Sequence, residues 1–508
     1  MTAPATFSVA LANEMATANL MADIALLIGP GDVITLSGDL GAGKTAAARA
    51  MIRYLAGDDA LEVPSPTFTL AQSYDLPSFS LLHADLYRIN DPGELEEIGL
   101  APIPDDIVAL IEWPERAADA MPDDRIDIAL SHRPALGSSA RAAEITGYGK
   151  ASAQVARLAA LRAFLDHADY DTARRQRMAG DASTRSYARL YRGDDNAVIL
   201  MNAPKRPDGP AIYRGKSYSA AVHLAEDVRP FVAIANGLRA QGLSAPAIHH
   251  IDLDHGFLIL EDLGSASFVQ GTPPQPIAER YRVAADMLAA MHRAPLPATV
   301  PLTAETTYTI PEFDTEALLV EIGLMLEWYL PDRGADPGDA QRADFIAMWR
   351  ELLAESNATA RTWVLRDFHS PNLIWLDERP GINKVGLIDF QDAVLGPASY
   401  DLVSLLQDAR LDIPEDLEIA LLTRYIMARR GADPSFDPPA FAELYAIMSA
   451  QRNTRLLGTF ARLNRRDGKP QYLRHQPRIW TYLNRSLAHP ALAVLREWYR
   501  KHVPPPAA

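Results

Sequence analysis

The chain has 508 residues, enough for two or three domains that each bury a core. Hydrophobic residues make up 48% and charged residues 22%, as in ordinary globular proteins, and the lack of cysteine excludes disulfides, thiolate metal sites and a cysteine nucleophile. A net charge of −16 disfavours a broad nucleic-acid-binding surface. No basic segment followed by an apolar stretch opens the sequence, and no run approaches the ~20 apolar residues of a membrane helix, so the expectation is a cytoplasmic protein with no membrane partner.

Residues 13–28, rich in Ala, Met and Leu, suit a helix, and Gly29 to Asp32 form a turn signal. The β-branched run 33–36 reads as a buried strand. GDLGAGKT follows, with Gly38, Gly41, Gly43, Lys44 and Thr45 at the spacing of a phosphate loop, and then a helix from Lys44 to about Leu55. Glycines there let backbone N–H groups surround phosphate oxygens, with the helix start adding positive potential. Lys44 is expected to reach the β- and γ-phosphates of ATP, and the Thr45 hydroxyl to ligate Mg²⁺. Strand-like runs continue at 67–73, 80–88, 107–113, 125–130 and 143–146. Two place a carboxylate at or near their ends, Asp85 in HADLYR and Glu112 in EWPE. Near a phosphate loop such groups are candidates for holding Mg²⁺ or orienting water. The fold expected for residues 1–150 is therefore an α/β P-loop NTPase domain.

GDLGAGKT, SPTFTL, HADLYR and EWPE, in this order, resemble the ATPase-subunit family of bacterial tRNA threonylcarbamoyladenosine synthesis (TsaE) over about residues 7–150. The resemblance implies an ATPase working with tRNA threonylcarbamoyl-transferase subunits and touching little nucleic acid itself. It assigns nucleotide and metal to Lys44 and Thr45, metal to Glu112, a catalytic acidic role to Asp85, and a switch-like segment to Thr67.

After Gly149 and Lys150 the character of the sequence changes, which places a boundary near residue 150 and a second domain over 151–508. An amphipathic helix is expected at 152–166, strands at 187–191 and 197–202, and an apolar run at 256–260. Beyond about residue 277 the pattern is mainly helical, interrupted at 385–390. LRDFHSPNL carries Asp367 and Asn372 in the D-x-x-x-x-N spacing of a kinase catalytic loop, and Asp389 ends a later apolar run. Phosphoryl transfer needs positioning and charge neutralisation, so these types fit. Asp367 accepts the attacking hydroxyl's proton, while Asn372 and Asp389 offer oxygens to Mg²⁺. His369 reads as a loop-packing residue. Residues 180–187 form a phosphate-covering turn signal, and Glu261 to Leu263 a hinge whose backbone contacts adenine. The expected fold is an α+β bilobal protein-kinase-like domain.

AGDASTRSYARL, ILMNAP, FLILEDLG, LRDFHSPNLIWL, IDFQDAVLGPASYDLVSLLQDAR and QRNTRLLGTFARL together resemble the N-acetylmuramate/N-acetylglucosamine kinase family (AmgK) of the aminoglycoside phosphotransferase group, over about residues 155–502. The resemblance implies ATP-dependent phosphorylation of the anomeric hydroxyl of N-acetylmuramic acid and N-acetylglucosamine, yielding sugar 1-phosphates for peptidoglycan recycling. Two departures stand out. The strand expected to end in a phosphate-contacting Lys ends at Met201, with Lys205 and Arg206 just beyond, and Gln391 replaces the glycine of DFG. An aminoglycoside kinase, or a nucleotide-sensing module with decayed catalysis, therefore stays open at this point. An arginine-rich region spans 452–478. Since the muramic lactyl group is a carboxylate, Arg452 is the candidate substrate contact.

Overall fold

The computed structural model describes residues 4–89, 91, 93–178, 185–193, 196–293, 296–357 and 361–506. Two compact units emerge, one formed by the chain up to Lys205 with Ile248–Asp262, the other by Arg206–Ala247 with Leu263 onward.

The first unit contains a seven-stranded sheet. Its elements are β1 (Ala5–Leu11), α1 (Glu14–Ala25), β2 (Val33–Ser37), α2 (Lys44–Ala56), β3 (Ala71–Asp75), β4 (Ser80–Asp85), the short α3 (Glu94–Glu97), β5 (Ile107–Glu112), β6 (Arg125–His132) and β7 (Arg141–Tyr148). The strand order is β1-β7-β6-β2-β5-β4-β3. β2 runs parallel to β5 and β6, and β4 parallel to β5, while β1, β7 and β3 join antiparallel. Both faces of β2 are covered, which is why 33–36 reads as an unbroken apolar run. Ile34 and Leu36 pack with Leu20 of α1 and Met51 and Ile52 of α2. Val33 packs on the other face with Ala109, Ile111 and Leu95.

A second, antiparallel sheet follows in the same unit: β8 (Arg174–Arg177), β9 (Ser186–Arg192), β10 (Asn196–Asn202), β11 (Ile248–Asp252) and β12 (Phe257–Glu261), in the order β11-β12-β10-β9-β8. Between the two sheets in sequence lies α4 (Ala151–His167), which serves both cores. Its Val155 and Leu158 pack against the first sheet's helices, and its Leu161, Phe164 and Leu165 against Leu190, Leu200 and Ile259 of the second. Leu26, just past α1, joins that second core. Asp23, which interrupts an apolar run in the sequence, explains how. It is 1% exposed and lies between Arg162 of α4, at 2.8 Å, and Arg175 of β8, at 3.0 Å. Removing one partner of a buried ion pair strands the other. Asp23→Ala is therefore expected to cost about 3 kcal/mol by urea unfolding, read on the first transition. A loss below about 1 kcal/mol would contradict this role for Asp23.

Some expectations change in detail. The run 67–73 is not all strand: residues 67–70 turn, Leu70 adopts φ 64°, and β3 begins only at Ala71. The hydroxyls of Ser65 and Thr67 donate to the Asp85 carboxylate at the end of β4, and this tertiary bonding outweighs the strand preference of threonine. The run 385–390 stops as a strand at Leu387, because Asp389 takes φ 57°. β1 and β8 had no clear signal: β1 alternates half-buried and exposed residues to its end, and β8 is Arg-Arg-Gln-Arg.

The second unit is mainly helical. The long helix Pro438–Asp467 starts on an Asp437 side-chain cap and ends at Gly468. It packs on helix Thr315–Leu324 at Gly458, where a Cβ would lie 2.3 Å from the Leu324 carbonyl carbon. Only glycine permits that approach. Strand Arg361–Val364 pairs with Val394–Pro397, and Leu373–Trp375 with Val385–Leu387, and these short ladders frame the loop carrying Asp367. No described helix is long and apolar enough to cross a membrane.

Candidate functional sites

In the first unit, the loop between β2 and α2 lies at the carboxyl ends of the parallel strands, where α/β sheets present their ligand sites. Gly38 has φ 131°, and a Cβ there would meet the Leu130 carbonyl oxygen at 2.1 Å. The tight loop requires glycine at this point. Arg141 of β7 braces the loop by donating from Nε to the Ala42 carbonyl at 2.9 Å. Lys44 is 4% exposed. Its Nζ donates to the Gly38 and Asp39 carbonyls, at 2.7 and 3.0 Å, and rests 3.4 Å from the centre of the Trp113 ring. Burial lowers its pKa, while the carboxylates of Glu112, Glu115, Asp85 and Asp39 pull it back up.

Register sets Asp85 and Glu112 side by side at the ends of β4 and β5. Glu112, 1% exposed, accepts from the Thr45 hydroxyl at 2.8 Å, and its other oxygen lies 3.0 Å from His83 Nε2. Asp85 accepts from Thr67 at 2.7 Å and from the Tyr87 backbone N–H at 3.0 Å. The structure thus joins Thr45 directly to Glu112 and Thr67 to Asp85, with Lys44 close enough for both carboxylates to act on its charge. The roles of His83 and Trp113 in holding Glu112 and Lys44 were not read from the sequence, although both lie inside the quoted motifs. A threonine hydroxyl on a carboxylate is a donor set that suits Mg²⁺, which takes one or two carboxylates plus nucleotide oxygens.

In the second unit, the catalytic-loop residues converge. Two backbone N–H groups, of Leu365 and Arg366, donate to the buried Asp401 carboxylate at 2.6 and 2.9 Å, fixing the loop's entry. Ser370 is fixed in the same way by Asp408, at 2.6 Å from its hydroxyl. His369 packs within the loop with Nε2 3.2 Å from Arg410, and burial lowers its pKa. Across residues 362–370 only Asp367 escapes full burial, with its side chain 35% exposed. Burial would raise its pKa, but Arg455, His369, Arg452 and Arg366 outweigh that and hold it at about 2.

Asn372 Nδ2 donates to the Asp367 carbonyl at 3.0 Å and lies 3.4 Å from Asp389 Oδ2, while Gln391 donates to Asp389 Oδ1 at 2.8 Å. A small pocket is lined by Asp367, Asn372 and Asp389 among others. With the Asn372 amide nitrogen so engaged, its oxygen and the Asp389 carboxylate are hard donors of the kind that suits Mg²⁺. The 180–187 turn falls mostly outside the described residues, with Ser186 and Tyr187 opening β9. Met201 is 1% exposed on β10, and Lys205 beyond it is exposed. Glu261 ends β12, and Leu263, in the second unit, is buried. Arg452 lies 2% exposed on the long helix, near Asp367. Glu321, Asp401 and Asp408 were not picked out from the sequence, and Arg455 only as one of an arginine-rich stretch, because only folding brings them to this loop.

These arrangements define a P-loop ATPase joined to a phosphotransferase of the protein-kinase-like fold. Residues 174–444 match the family described as phosphotransferase enzyme family, and residues 11–140 the family described as threonylcarbamoyl adenosine biosynthesis protein TsaE. The chain belongs to the phosphotransferase enzyme family, and its N-terminal segment to the TsaE family. Over 360 residues it is 40% identical to the N-acetylmuramate/N-acetylglucosamine kinase of Caulobacter vibrioides, covering 68% of this chain and 97% of that protein. The kinase of the same name from Pseudomonas aeruginosa is 32% identical, over 63% of this chain and 86% of its own length. The tRNA threonylcarbamoyladenosine biosynthesis protein TsaE of Rickettsia bellii is 38% identical over 120 residues, 24% of this chain and 83% of that protein.

Proposed function

We propose that the chain is bifunctional, with the junction between its functions near residue 150. The N-terminal part hydrolyses ATP in support of tRNA N6-threonylcarbamoyladenosine modification, beside threonylcarbamoyl-transferase subunits. The remainder transfers phosphate from ATP to the anomeric hydroxyl of N-acetylmuramic acid and N-acetylglucosamine. The Asp367–Asn372–Asp389 convergence carries the kinase reading, and the identity with kinases of that name supports the acceptor. Guanidinium groups around Asp367 also disfavour a polycationic aminoglycoside acceptor.

In the first site, Lys44 neutralises the β- and γ-phosphates, Gly38, Gly41 and Gly43 open the loop to them, and Thr45 and Glu112 would hold Mg²⁺. Asp85 orients the water that attacks. In the second, Asn372 and Asp389 would hold Mg²⁺, which would shield the triphosphate charge. The Glu261–Leu263 backbone contacts adenine. The acceptor hydroxyl oxygen bonds to the γ-phosphorus as the bond to the bridging oxygen of ADP breaks, and its proton passes to Asp367. Held ionised, Asp367 is first a hydrogen-bond acceptor, and takes the proton as the new phosphorus–oxygen bond acidifies the hydroxyl.

Borohydride reduction tests the anomeric assignment, since it converts N-acetylglucosamine to an open-chain alditol without a hemiacetal. The alditol is expected to give only background phosphorylation, and the intact sugar an acid-labile sugar 1-phosphate by ³¹P NMR. Turnover of the alditol at a rate near that of the sugar would contradict the assignment.

A further inference from the structure

Three arginines crowd the catalytic aspartate, and they are not equally committed. Arg366 donates to the Val222 carbonyl at 2.7 Å and to the fully buried Glu321. Arg455 bridges two carboxylates, with one nitrogen 3.5 Å from Glu321 and another 3.8 Å from Asp367. Glu321 also accepts from Gln451 at 3.1 Å. Arg452, three positions before Arg455 on the long helix, shares its face. It is 2% exposed, yet its Nε and Nη1 have no hydrogen-bond partner, and among the described residues no ion pair reaches it.

The groups facing Arg452 do not resolve this. Tyr400, Asp367 and Asp408 favour its charge and Arg455 opposes it, but burial dominates and lowers its pKa. Asp408 is already bound to Ser370, and Asp367 lies next to Arg455. A buried guanidinium without a hydrogen-bonded counter-ion is among the costlier arrangements a fold can hold. A purely structural position would favour an apolar side chain of the same volume. The unmet donors therefore await an anion that arrives with a reactant.

We infer that Arg452 is the specificity-determining contact for an acidic acceptor, its guanidinium binding the carboxylate of an amino sugar that bears an acidic ether substituent, while Arg455 stays with Glu321 and Asp367. The assignment rests on the sugar-kinase reading above and names the feature by which that site separates two acceptors. N-acetylmuramate carries this carboxylate and N-acetylglucosamine does not. A guanidinium–carboxylate fork is planar and can be bidentate, so an ammonium replaces it poorly.

The test is kcat/KM of the full chain for both sugars, in wild type, Arg452→Met and Arg452→Lys, with melting curves in the absence and presence of each sugar. Loss of a charged hydrogen bond predicts that Arg452→Met lowers the ratio of N-acetylmuramate to N-acetylglucosamine efficiency by about 10- to 100-fold. Arg452→Lys should recover part of that ratio. The sugar-free Arg452→Met protein should melt no lower than wild type, since no partner is orphaned, and N-acetylmuramate should no longer raise its Tm. An unchanged ratio would overturn the assignment. So would an equal fall for both sugars, which would place Arg452 on the phosphoryl group or in a structural role. Failure of the wild-type chain to phosphorylate either sugar would overturn the kinase reading itself, and this assignment with it.

Discussion

Asp367→Asn is expected to lower sugar-dependent phosphorylation by about 10³-fold while leaving the fold intact, because it removes the proton acceptor and keeps its shape. The amide can still contact Arg455, so the melting temperature should stay close to that of wild type. The effect should fall on kcat for both sugars alike, unlike that of a specificity residue. The pH profile adds a second readout. Asp367 is held at about 2 by its arginines, so it contributes no acid limb near neutrality. Arg455→Met removes the foremost of those counter-charges, leaving burial to push the carboxyl up. The acid limb of kcat should then move to higher pH, and a profile unchanged by Arg455→Met would contradict the electrostatic account. The linkage sign for stability is the usual one for a lowered carboxylate. The contribution of Asp367 is present above the ordinary value of about 3.9 and is lost as pH falls through about 2.

The second large effect concerns Lys44→Ala. Its ammonium is the cation placed between the phosphate loop carbonyls and the Trp113 ring, among four carboxylates. Without it, the loop faces a triphosphate with backbone N–H groups and no cationic side chain of its own. Sugar-independent ATP hydrolysis is expected to fall by at least about 10²-fold. The loop itself should persist, since Gly38 and the Arg141 brace set its shape. ATP hydrolysis in this variant close to the wild-type rate would remove Lys44 from the mechanism.

Both candidate sites were legible in the sequence to the extent that their chemistry is local. The phosphate loop, the D-x-x-x-x-N loop and the strands that flank them are short segments whose glycines and apolar runs announce them. Legibility ended where a residue acts through distant partners. Asp23 interrupts an apolar run and gives no sign there of a partner, yet it pairs with arginines of α4 and β8. Arg452 and Arg455 sat in an arginine-rich stretch that reads more readily as a solvated helix face. They lie on the helix that packs through Gly458 against the backbone near Leu324, a contact no local pattern encodes. His83 lay inside a recognised motif, but its hold on Glu112 follows from strand register. Polar strands such as β8 escape periodicity arguments because their arginines bury stems and bond carbonyls, so their side chains give no apolar alternation.

The most direct test measures two activities on the same preparations of wild type, Lys44→Ala and Asp367→Asn: ATP hydrolysis without sugar, and phosphate transfer to N-acetylmuramate and N-acetylglucosamine, with kanamycin as a third acceptor. Each variant should lose one activity and retain the other, with both amino sugars phosphorylated and kanamycin untouched. Loss of both activities on either single change, or transfer to kanamycin in place of the sugars, would contradict two independent centres with these substrates.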